Sequence, residues 1–218
     1  MYVSRIQKTQ ISTRAASMTY FPPVNGPLPI PPQRAPQELY EEAHRNFTIG
    51  YSDVVLRNPE SGEFFFPIRG IEPEKGSDWF IGGRIAVGET VEQSAARHVE
   101  HDTGLLIPSD RFTDVSHFGI AHVTEREGQG PLVRHAQNNV LVANLKPDEV
   151  EALNDIVANG KLTPEYSGGE WYDPKTNKKE LPGPIKQFMR DLFGHEVMME
   201  ALHAMALEEY EQRFGSKS

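Results

Sequence analysis

Residues 83–105 read GRIAVGETVEQSAARHVEHDTGL and carry the strongest local signal in the chain. Thr90 and Gln93 have the three-residue spacing of a capping box, which marks the start of a helix. Gly104 supplies a stop for the same helix. Apolar side chains recur one turn apart on the face that would be buried: Val91, Ala95 and Val99. The stretch therefore predicts a glycine-containing loop that leads into an amphipathic helix over residues 90–102.

Patterns on either side of this helix predict a sheet packed between helices. A turn at residues 58–62, which contains Asn, Pro and Gly, joins two apolar runs and predicts a hairpin. The predicted strands cover residues 51–57, 63–66, 78–81, 112–123, 138–145 and 169–172, with a polar loop at 124–134. The predicted helices cover residues 37–45, 90–102, 147–158, 184–193 and 195–214. These elements predict an α/β (α+β) fold with a mixed sheet.

Composition restricts the classes of partner. The 218 residues suffice for one domain with a full core, and the net charge is −9 with a pI of about 5.4. An acidic chain lacks the basic footprint of a nucleic-acid binder, although local arginines can still hold a small anion. The absence of cysteine excludes disulfides, thiolate nucleophiles and Cys-based zinc sites. No apolar run approaches the roughly 20 residues of a membrane span, so we expect no membrane partner.

The two ends of the chain differ from the middle. Residues 1–37 contain no acidic residue, and residues 22–36 hold seven prolines, which predicts an extended N-terminal arm. We expect a cytoplasmic protein. An acid-poor start that bears Arg and Ser is also typical of an organelle transit peptide, which is the alternative. We expect the folded domain at residues 38–194 and a C-terminal helix within residues 195–218. The methionines of that helix leave a homodimer open.

The spacing within residues 83–105 resembles a known motif. A glycine is followed by Glu after five residues, by Arg after seven more and by a terminal Gly, at positions Gly83, Glu89, Arg97 and Gly104. This frame resembles the Nudix box, G-x5-E-x7-R-E-U-x-E-E-x-G-U, where U is a bulky aliphatic residue. The resemblance implies a Nudix-type α/β/α sandwich with a mixed sheet. It also implies a hydrolase that holds a diphosphate and a divalent metal.

Three positions of the box depart from the family pattern, which has glutamates where this chain has His98, His101 and Asp102. At i, i+3 and i+4 the three share one face of the helix. Carboxylates there would hold Mg²⁺, which prefers oxygen ligands, whereas imidazole favours other metal ions. Either the metal has changed, fewer ions bind, or none does; alternatively, both histidines are ordinary exposed helix residues. The expected cofactor is a divalent metal, Mg²⁺ or Mn²⁺ with Zn²⁺ as an alternative, or none.

A longer span resembles the GDP-mannose mannosyl hydrolase branch of the Nudix family. The matching segments are residues 62–66, 79–84 and 102–104, together with Arg69 and Arg97. The resemblance implies that Arg69, Arg84 and Arg97 hold the diphosphate of a sugar nucleotide. It also implies one Mg²⁺ and cleavage of the sugar C1–O bond.

One part of that branch is altered here. Its Gln-His pair, which supplies a metal ligand and the general base, is replaced before Trp171 by Glu165 and Tyr166. The resemblance allows Glu165 to act as metal ligand or base. A tyrosine, with an ordinary pKa near 10, is a poor base at neutral pH. The mechanism of the branch therefore does not transfer intact.

These observations give a candidate site. The candidate catalytic residues are Glu89, His98, His101 and Glu165. The candidate substrate-binding residues are Arg69, Gly83, Arg84 and Arg97. The candidate metal ligands are Asp102, His98 and Glu165. Two alternatives stay open, namely that Arg97 forms a structural ion pair with Glu89 and that Arg69 is an ordinary exposed arginine.

The expected function is hydrolysis of a small nucleoside-diphosphate-linked substrate, such as a sugar nucleotide, with altered or reduced metal dependence. A rival from another class is a non-catalytic Nudix domain that binds a nucleotide or a protein partner. A third reading is a metal-independent enzyme that acts on a non-nucleotide small molecule, with His98 or His101 as general base.

Overall fold

A six-stranded mixed sheet organises the fold. The computed structural model describes residues 36–72, 74–124 and 132–194 of the chain. Its strands are β1 (Ile49–Arg57), β2 (Phe64–Arg69), β3 (Ile81–Arg84), β4 (Phe112–Thr124), β5 (Leu132–Asn144) and β6 (Tyr166–Tyr172). Its helices are α1 (Gln37–Asn46), α2 (Val91–Thr103), α3 (Pro147–Ala158) and α4 (residues 183–194), with a 3-10 turn at Ser109–Arg111. The strand order is β4-β5-β1-β2-β6, and β3 pairs with β1.

The strand β1 lies at the centre and explains why the sheet is mixed. It pairs in parallel with β5 along its whole length, from Ile49 opposite Ala136 to Arg57 opposite Asn144. It pairs antiparallel with β2 and with β3. The predicted hairpin between β1 and β2 is confirmed, because Asn58 accepts a hydrogen bond from the amide of Gly62 at 2.8 Å to close the turn.

Helices cover both faces of the sheet. On one face, Val54 and Leu56 of β1 pack with α2 and α3, including Val91, Ala95, Val99 and Leu153. On the other face, Val55 packs with aromatic residues of β2 and with α4, including Phe64, Phe66, Ile185 and Phe188. Burial of a large apolar side chain contributes roughly 1.5–3 kcal/mol relative to exposure. The alternation along β1 therefore builds two cores, and the predicted α/β (α+β) fold with a mixed sheet is confirmed.

The predicted helix of the box forms as expected. The hydroxyl of Thr90 accepts from the amide of Gln93 at 3.2 Å, and the Gln93 side chain accepts from the amide of Thr90 at 3.0 Å. Gly104 ends the helix with a φ of 78°, a left-handed conformation that favours glycine. The predicted stripe of Val91, Ala95 and Val99 is buried. All these signals are local in sequence, which is why the sequence was sufficient to predict them.

The prediction of a strand at residues 78–81 is wrong. Residue Asp78 forms only an isolated bridge with Ile68, and β3 occupies Ile81–Arg84, including Gly82 and Gly83 that were predicted as a loop. A Cβ atom at Gly82 would lie 2.3 Å from the carbonyl oxygen of Ser52. Because Gly82 has no side chain, β3 can approach β1 closely enough to pair with it. Gly82 therefore lies in a paired strand and not in a turn.

Two further strands are longer than predicted. The strand β5 begins at Leu132, within the predicted polar loop, and β6 begins at Tyr166 rather than at residue 169. Pairing with β4 extends β5 at its start, from Leu132 opposite Thr124, whereas pairing with β1 begins at Ala136. Arg134 therefore lies on a strand of the sheet.

Some predictions fall outside the described residues. These are most of the N-terminal arm (residues 1–35), the loop at 125–131 and the final helix at 195–214, with the homodimer that it left open. The proposed domain boundaries stay predictions. In the part of the chain that the structure describes, no helix has both the length and the apolar character to cross a membrane.

Candidate ligand-binding site

Three polar side chains share the sheet face that lies away from α2. In the antiparallel pair of β1 and β3, Tyr51 lies opposite Arg84, and Asp53 lies opposite Gly82. Directly opposed residues of such a pair project from the same face. Their neighbour Val55 belongs to the core under α4, which identifies the face. Arg84, Tyr51 and Asp53 thus project from this second face.

The helix α1 adds a histidine to the same region. The Nε2 atom of His44 shares a hydrogen bond of 3.2 Å with the hydroxyl of Tyr51. His44 is buried. Burial lowers its pKa, and the nearby positive charges of Arg134 and Arg84 lower it further. His44 is therefore held mainly neutral between two arginines.

Asp53 is a buried carboxyl group at the centre of the region. It accepts a hydrogen bond from the side-chain amide of Asn138, which projects from β5 beside it. Burial raises the pKa of Asp53 to about 7, against the opposing effects of Asn138 and of the positive charge on Arg69. Asp53 therefore exchanges its proton near neutral pH.

A second histidine, His122, lies near both Arg69 and Arg134. His122 of β4 lies opposite Arg134 of β5, and its ring centroid is 6.1 Å from that of Trp79. Burial lowers the pKa of His122; Glu74 opposes this, while Arg69 and Arg134 add to it. Arg69 and Arg134 therefore lie near the same imidazole, although they come from β2 and β5.

Three buried polar atoms of this region have no hydrogen-bond partner in the part of the chain that the structure describes. Among the described residues, the Nε atoms of Arg69 and Arg134 and the Oδ1 atom of Asn138 are buried without a hydrogen-bond partner. A buried polar group left unpaired costs about 1–3 kcal/mol, so such atoms in a folded domain call for a partner. We call the set of Arg69, Arg84 and Arg134, with His44, Asp53, His122 and Asn138, the arginine face. Its composition suits an anionic ligand.

A bidentate ion pair joins α2 to the loop that connects β3 with it. Arg97 donates from Nε to Glu89 at 2.6 Å and from Nη2 to the other carboxylate oxygen at 2.8 Å. The amide of Ala86 donates to Glu89 at 3.0 Å. Burial alone would raise the pKa of Glu89, but these hydrogen bonds lower it below its ordinary value. The predicted structural pair is confirmed, and the roles of Glu89 in catalysis and Arg97 in substrate binding stay predictions.

His98 packs directly on the backbone of β3. Its Nε2 atom donates to the carbonyl oxygen of Arg84 at 3.2 Å. A Cβ atom at Gly83 would lie 2.5 Å from Cε1 of the ring, so only glycine admits the imidazole at this distance. On the α2 side, Gly83 therefore accommodates a protein side chain rather than a diphosphate. Burial, followed by the charge of Arg97, lowers the pKa of His98, which is thus mainly neutral at pH 7.

The carboxylate of Asp102 is buried and enclosed by donors. It accepts from His101 at 2.7 Å, from the hydroxyl of Thr163 at 3.3 Å and from the hydroxyl of Tyr166 at 3.3 Å. The Tyr166 hydroxyl also lies 3.1 Å from the carbonyl oxygen of Phe80. Burial and the charge of Asp102 raise the pKa of Tyr166 well above its ordinary value, which agrees with its expected weakness as a base.

The predicted metal ligands are not brought together. Among the described residues, no three His, Asp or Glu side chains form a group that could hold a metal ion, and this includes His98, Asp102 and Glu165. Donor atoms of His98 and Asp102 are already engaged by Arg84, His101, Thr163 and Tyr166. Helical spacing correctly placed residues on α2, but it does not reveal which donor atoms other elements occupy. The residues present therefore do not fit a resident divalent metal.

The remaining candidates take separate positions. Glu165 is partly exposed just before β6, where its backbone carbonyl accepts from the amide of Gly70 at 2.6 Å. The side chain of His101 is 68% exposed, so apart from its contact with Asp102 it faces solvent. A surface depression of about 450 Å³, bordered by Trp79, Asp78 and Lys179, adjoins the arginine face through the contact of Trp79 with His122.

The candidate site from the sequence lacked five members of the arginine face: His44, Asp53, His122, Arg134 and Asn138. Asp53 alternates along β1 with buried Val55, and Asn138 alternates along β5 with buried Val140. A polar residue at a core-facing position of a strand is a signal that could have identified them. Arg134 was assigned to a loop, so the sequence offered no reason to place it beside Arg69.

The known proteins that the chain resembles are distant from it in sequence. No protein-family profile matches it. An octanoyltransferase of Myxococcus xanthus is 27% identical over 136 residues, which cover 62% of this chain and 33% of that protein. The chain thus spans about a third of the length of this curated relative.

Solved structures of similar shape include several Nudix proteins. A MutT protein from Methanosarcina mazei matches with a TM-score of 0.47 and 18% identity, covering 68% of this chain and 94% of that one. A MutT NUDIX hydrolase from Burkholderia pseudomallei gives 0.46 and 16%, with 66% and 97% covered. The NUDIX domain of Shewanella oneidensis NrtR, complexed with ADP ribose, gives 0.42 and 14%, with 77% and 99% covered. Similarity at this level does not decide family or substrate.

Proposed function

We propose that this chain is a Nudix-type domain that binds a nucleoside-diphosphate-linked small molecule on the arginine face and hydrolyses it with reduced metal dependence. One observation carries the proposal. The buried Nε atoms of Arg69 and Arg134 have no hydrogen-bond partner among the described residues, and both lie near His122. Arg84, predicted from the box to contact substrate, lies near His44 together with Arg134.

The chemistry of the face favours a diphosphate over a neutral ligand. Guanidinium groups match phosphate oxygens with paired N–H donors, and such charge-assisted hydrogen bonds are stronger than neutral ones. Their strength increases further where water is excluded, as it is around the buried atoms of Arg69 and Arg134. The one carboxyl group of the arginine face, Asp53, feels the positive charge of Arg69, and its pKa of about 7 leaves it only partly charged at neutral pH.

Asp53 also offers a group for proton transfer. An acid or base acts best when its pKa lies near the working pH, which is the case for Asp53. We propose that Asp53 carries a proton to or from the ligand while Asn138 holds its carboxyl group in place. The sequence-based catalytic assignments of Glu89, His98, His101 and Glu165 are not used in this scheme.

A second candidate function is a non-catalytic binding domain. It is favoured by the engagement of His98 and Asp102 with protein donors, which removes the chemistry that the resemblance to the Nudix box implies. Binding at the arginine face is common to both functions, and hydrolysis separates them.

The test is a ligand panel followed by a product assay. Binding of pyrophosphate, ADP, ADP-ribose and GDP-mannose would be measured by calorimetry in EDTA and in Mg²⁺, with guanosine as the uncharged control. Diphosphate compounds are expected to bind and guanosine is not. Phosphorus NMR of each bound compound would then detect hydrolysis. Binding without turnover supports the non-catalytic domain, and no binding by any diphosphate rejects the proposal.

A further inference from the structure

We infer that His98 is a positioning residue which, together with Arg97, holds the backbone of Arg84 and so presents Arg84 to its ligand without a divalent cation. The ligand part of this inference rests on the proposed function. The positioning part rests on contacts between α2 and β3. This inference gives a role to His98, which stands where the Nudix box has a glutamate.

Two side chains of α2 converge on one carbonyl oxygen. The Nη2 atom of Arg97 donates to the carbonyl of Arg84 at 3.1 Å, and Nε2 of His98 donates to the same oxygen at 3.2 Å. Arg84 is the last residue of β3, and the next amide, that of Ile85, donates to Gly50 at 3.0 Å. The two donors from α2 therefore fix the backbone at the point where the strand leaves the sheet.

The fit between the imidazole and the strand is close and depends on glycine. A Cβ atom at Gly83 would lie 2.5 Å from Cε1, 3.0 Å from Nε2 and 3.2 Å from Nδ1 of His98. Both ring nitrogens thus lie against the backbone of β3. Any larger residue at position 83 would displace the ring and break its hydrogen bond to Arg84. Gly83 and His98 form a matched pair across the two elements.

The arrangement links the two sides of the strand. The backbone of β3 is held from the α2 side, while the side chain of Arg84 projects from the opposite face beside Tyr51. A shift of the Arg84 carbonyl therefore moves the guanidinium group relative to Arg69 and Arg134. Two protein donors, the guanidinium of Arg97 and the imidazole of His98, supply the hold on this carbonyl, so a divalent cation is not needed for it.

The ligand-independent test is hydrogen exchange at the amide of Ile85. In the wild-type protein, protection of this amide is expected to be the same in EDTA and in Mn²⁺. In His98→Leu it should fall by roughly 3- to 10-fold, which corresponds to one net hydrogen bond. The variant His98→Gln, which keeps a donor at a similar reach, should recover part of the protection. Protection that requires Mn²⁺, or that is unchanged in His98→Leu, overturns the positioning role.

The ligand-dependent test is a double-mutant cycle read by the affinity for pyrophosphate in EDTA. His98→Leu should weaken binding by roughly 3- to 10-fold, and His98→Gln by less. In an Arg84→Ala background, His98→Leu should have no further effect, because His98 acts through Arg84. Equal losses in both backgrounds overturn the inference. If wild-type protein binds no pyrophosphate, the proposed function fails, and hydrogen exchange at Ile85 still decides the positioning role.

Discussion

Asp53 shows how one residue can connect stability with the proposed chemistry. Its carboxyl group is buried, so its charged form is disfavoured and its pKa rises from 3.8 to about 7. The folded state therefore binds a proton that the unfolded state releases. The stabilisation from this proton is complete below about pH 4 and is lost as the pH rises towards 7. The sign is opposite to that of His44, His98 and His122, whose pKa values are lowered on folding.

The variant Asp53→Asn should remove this contribution while keeping an oxygen acceptor for Asn138. Between pH 5 and pH 8 the wild-type free energy of unfolding should lose on the order of 2–3 kcal/mol relative to the variant. Urea unfolding of both proteins at the two pH values measures the difference, and the histidines cancel because both proteins contain them. If the free energy of unfolding changed equally with pH in the two proteins, Asp53 would have the ordinary pKa of an aspartate.

Arg134 tests whether the unpaired guanidinium atoms serve a ligand. In Arg134→Met the buried Nε atom without a partner is removed, so the unliganded protein should be at least as stable as wild type. Its affinity for pyrophosphate should fall by roughly 10- to 100-fold, the loss of a charged hydrogen bond. The matched control is Arg190→Met on the exposed part of α4, which should leave the affinity unchanged. An early-melting Arg134→Met with normal affinity would make Arg134 a structural residue.

At the scale of elements, the contact between α2 and β3 holds the box together. The helix was predictable because its cap, its apolar stripe and its glycine stop are all local signals. The strand β3 was misplaced because its position depends on pairing with β1, some thirty residues earlier in the chain. The ion pair of Glu89 with Arg97 was one of two alternatives for Arg97 in the sequence analysis, and the two side chains meet in the structure.

The variant Glu89→Gln tests that ion pair as a structural feature. It removes the charge that accepts two hydrogen bonds from Arg97, so the free energy of unfolding at pH 7 should fall by about 1–2 kcal/mol. Because the pKa of Glu89 is lowered on folding, its contribution is present above about pH 4.5 and is lost as the pH falls. Urea unfolding should therefore show a larger difference between the two proteins at pH 7 than at pH 3.5. A stable variant with impaired ligand binding would instead place Glu89 at the ligand.

At the scale of the whole molecule, the pattern of strands and helices predicted the layers correctly. The family resemblance nominated Arg69 and Arg84; in the structure Arg69 and Arg134 act on His122, and Arg84 and Arg134 act on His44. Arg134 was missed because residues 124–134 were assigned to a polar loop, whereas β5 pairs with β4 from Leu132 onward and so includes Arg134. The candidate metal ligands His98 and Asp102 were chosen from helical spacing and Glu165 from the family resemblance, and the described residues do not bring them together. Spacing shows which residues share a face but not which donors are already bonded. Thr163 and Tyr166, which engage Asp102, come from the far end of the domain.

The response of the whole domain to divalent ions tests this last conclusion. The melting temperature of the wild-type protein should be the same in EDTA, Mg²⁺ and Mn²⁺, because a stabilising ion needs a site in the folded state. In the double variant His98→Glu with His101→Glu, two new carboxylates would join Asp102 on the same face of α2, and such a group of three suits Mg²⁺. An ion at ten times its dissociation constant then adds about 1.4 kcal/mol, which raises the melting temperature by roughly 2–6 °C. The variant His98→Gln with His101→Gln, which adds no carboxylate, is the matched control. Saturable stabilisation of the wild-type protein by Mn²⁺ would show instead that its histidines and Asp102 release their protein partners to bind the ion.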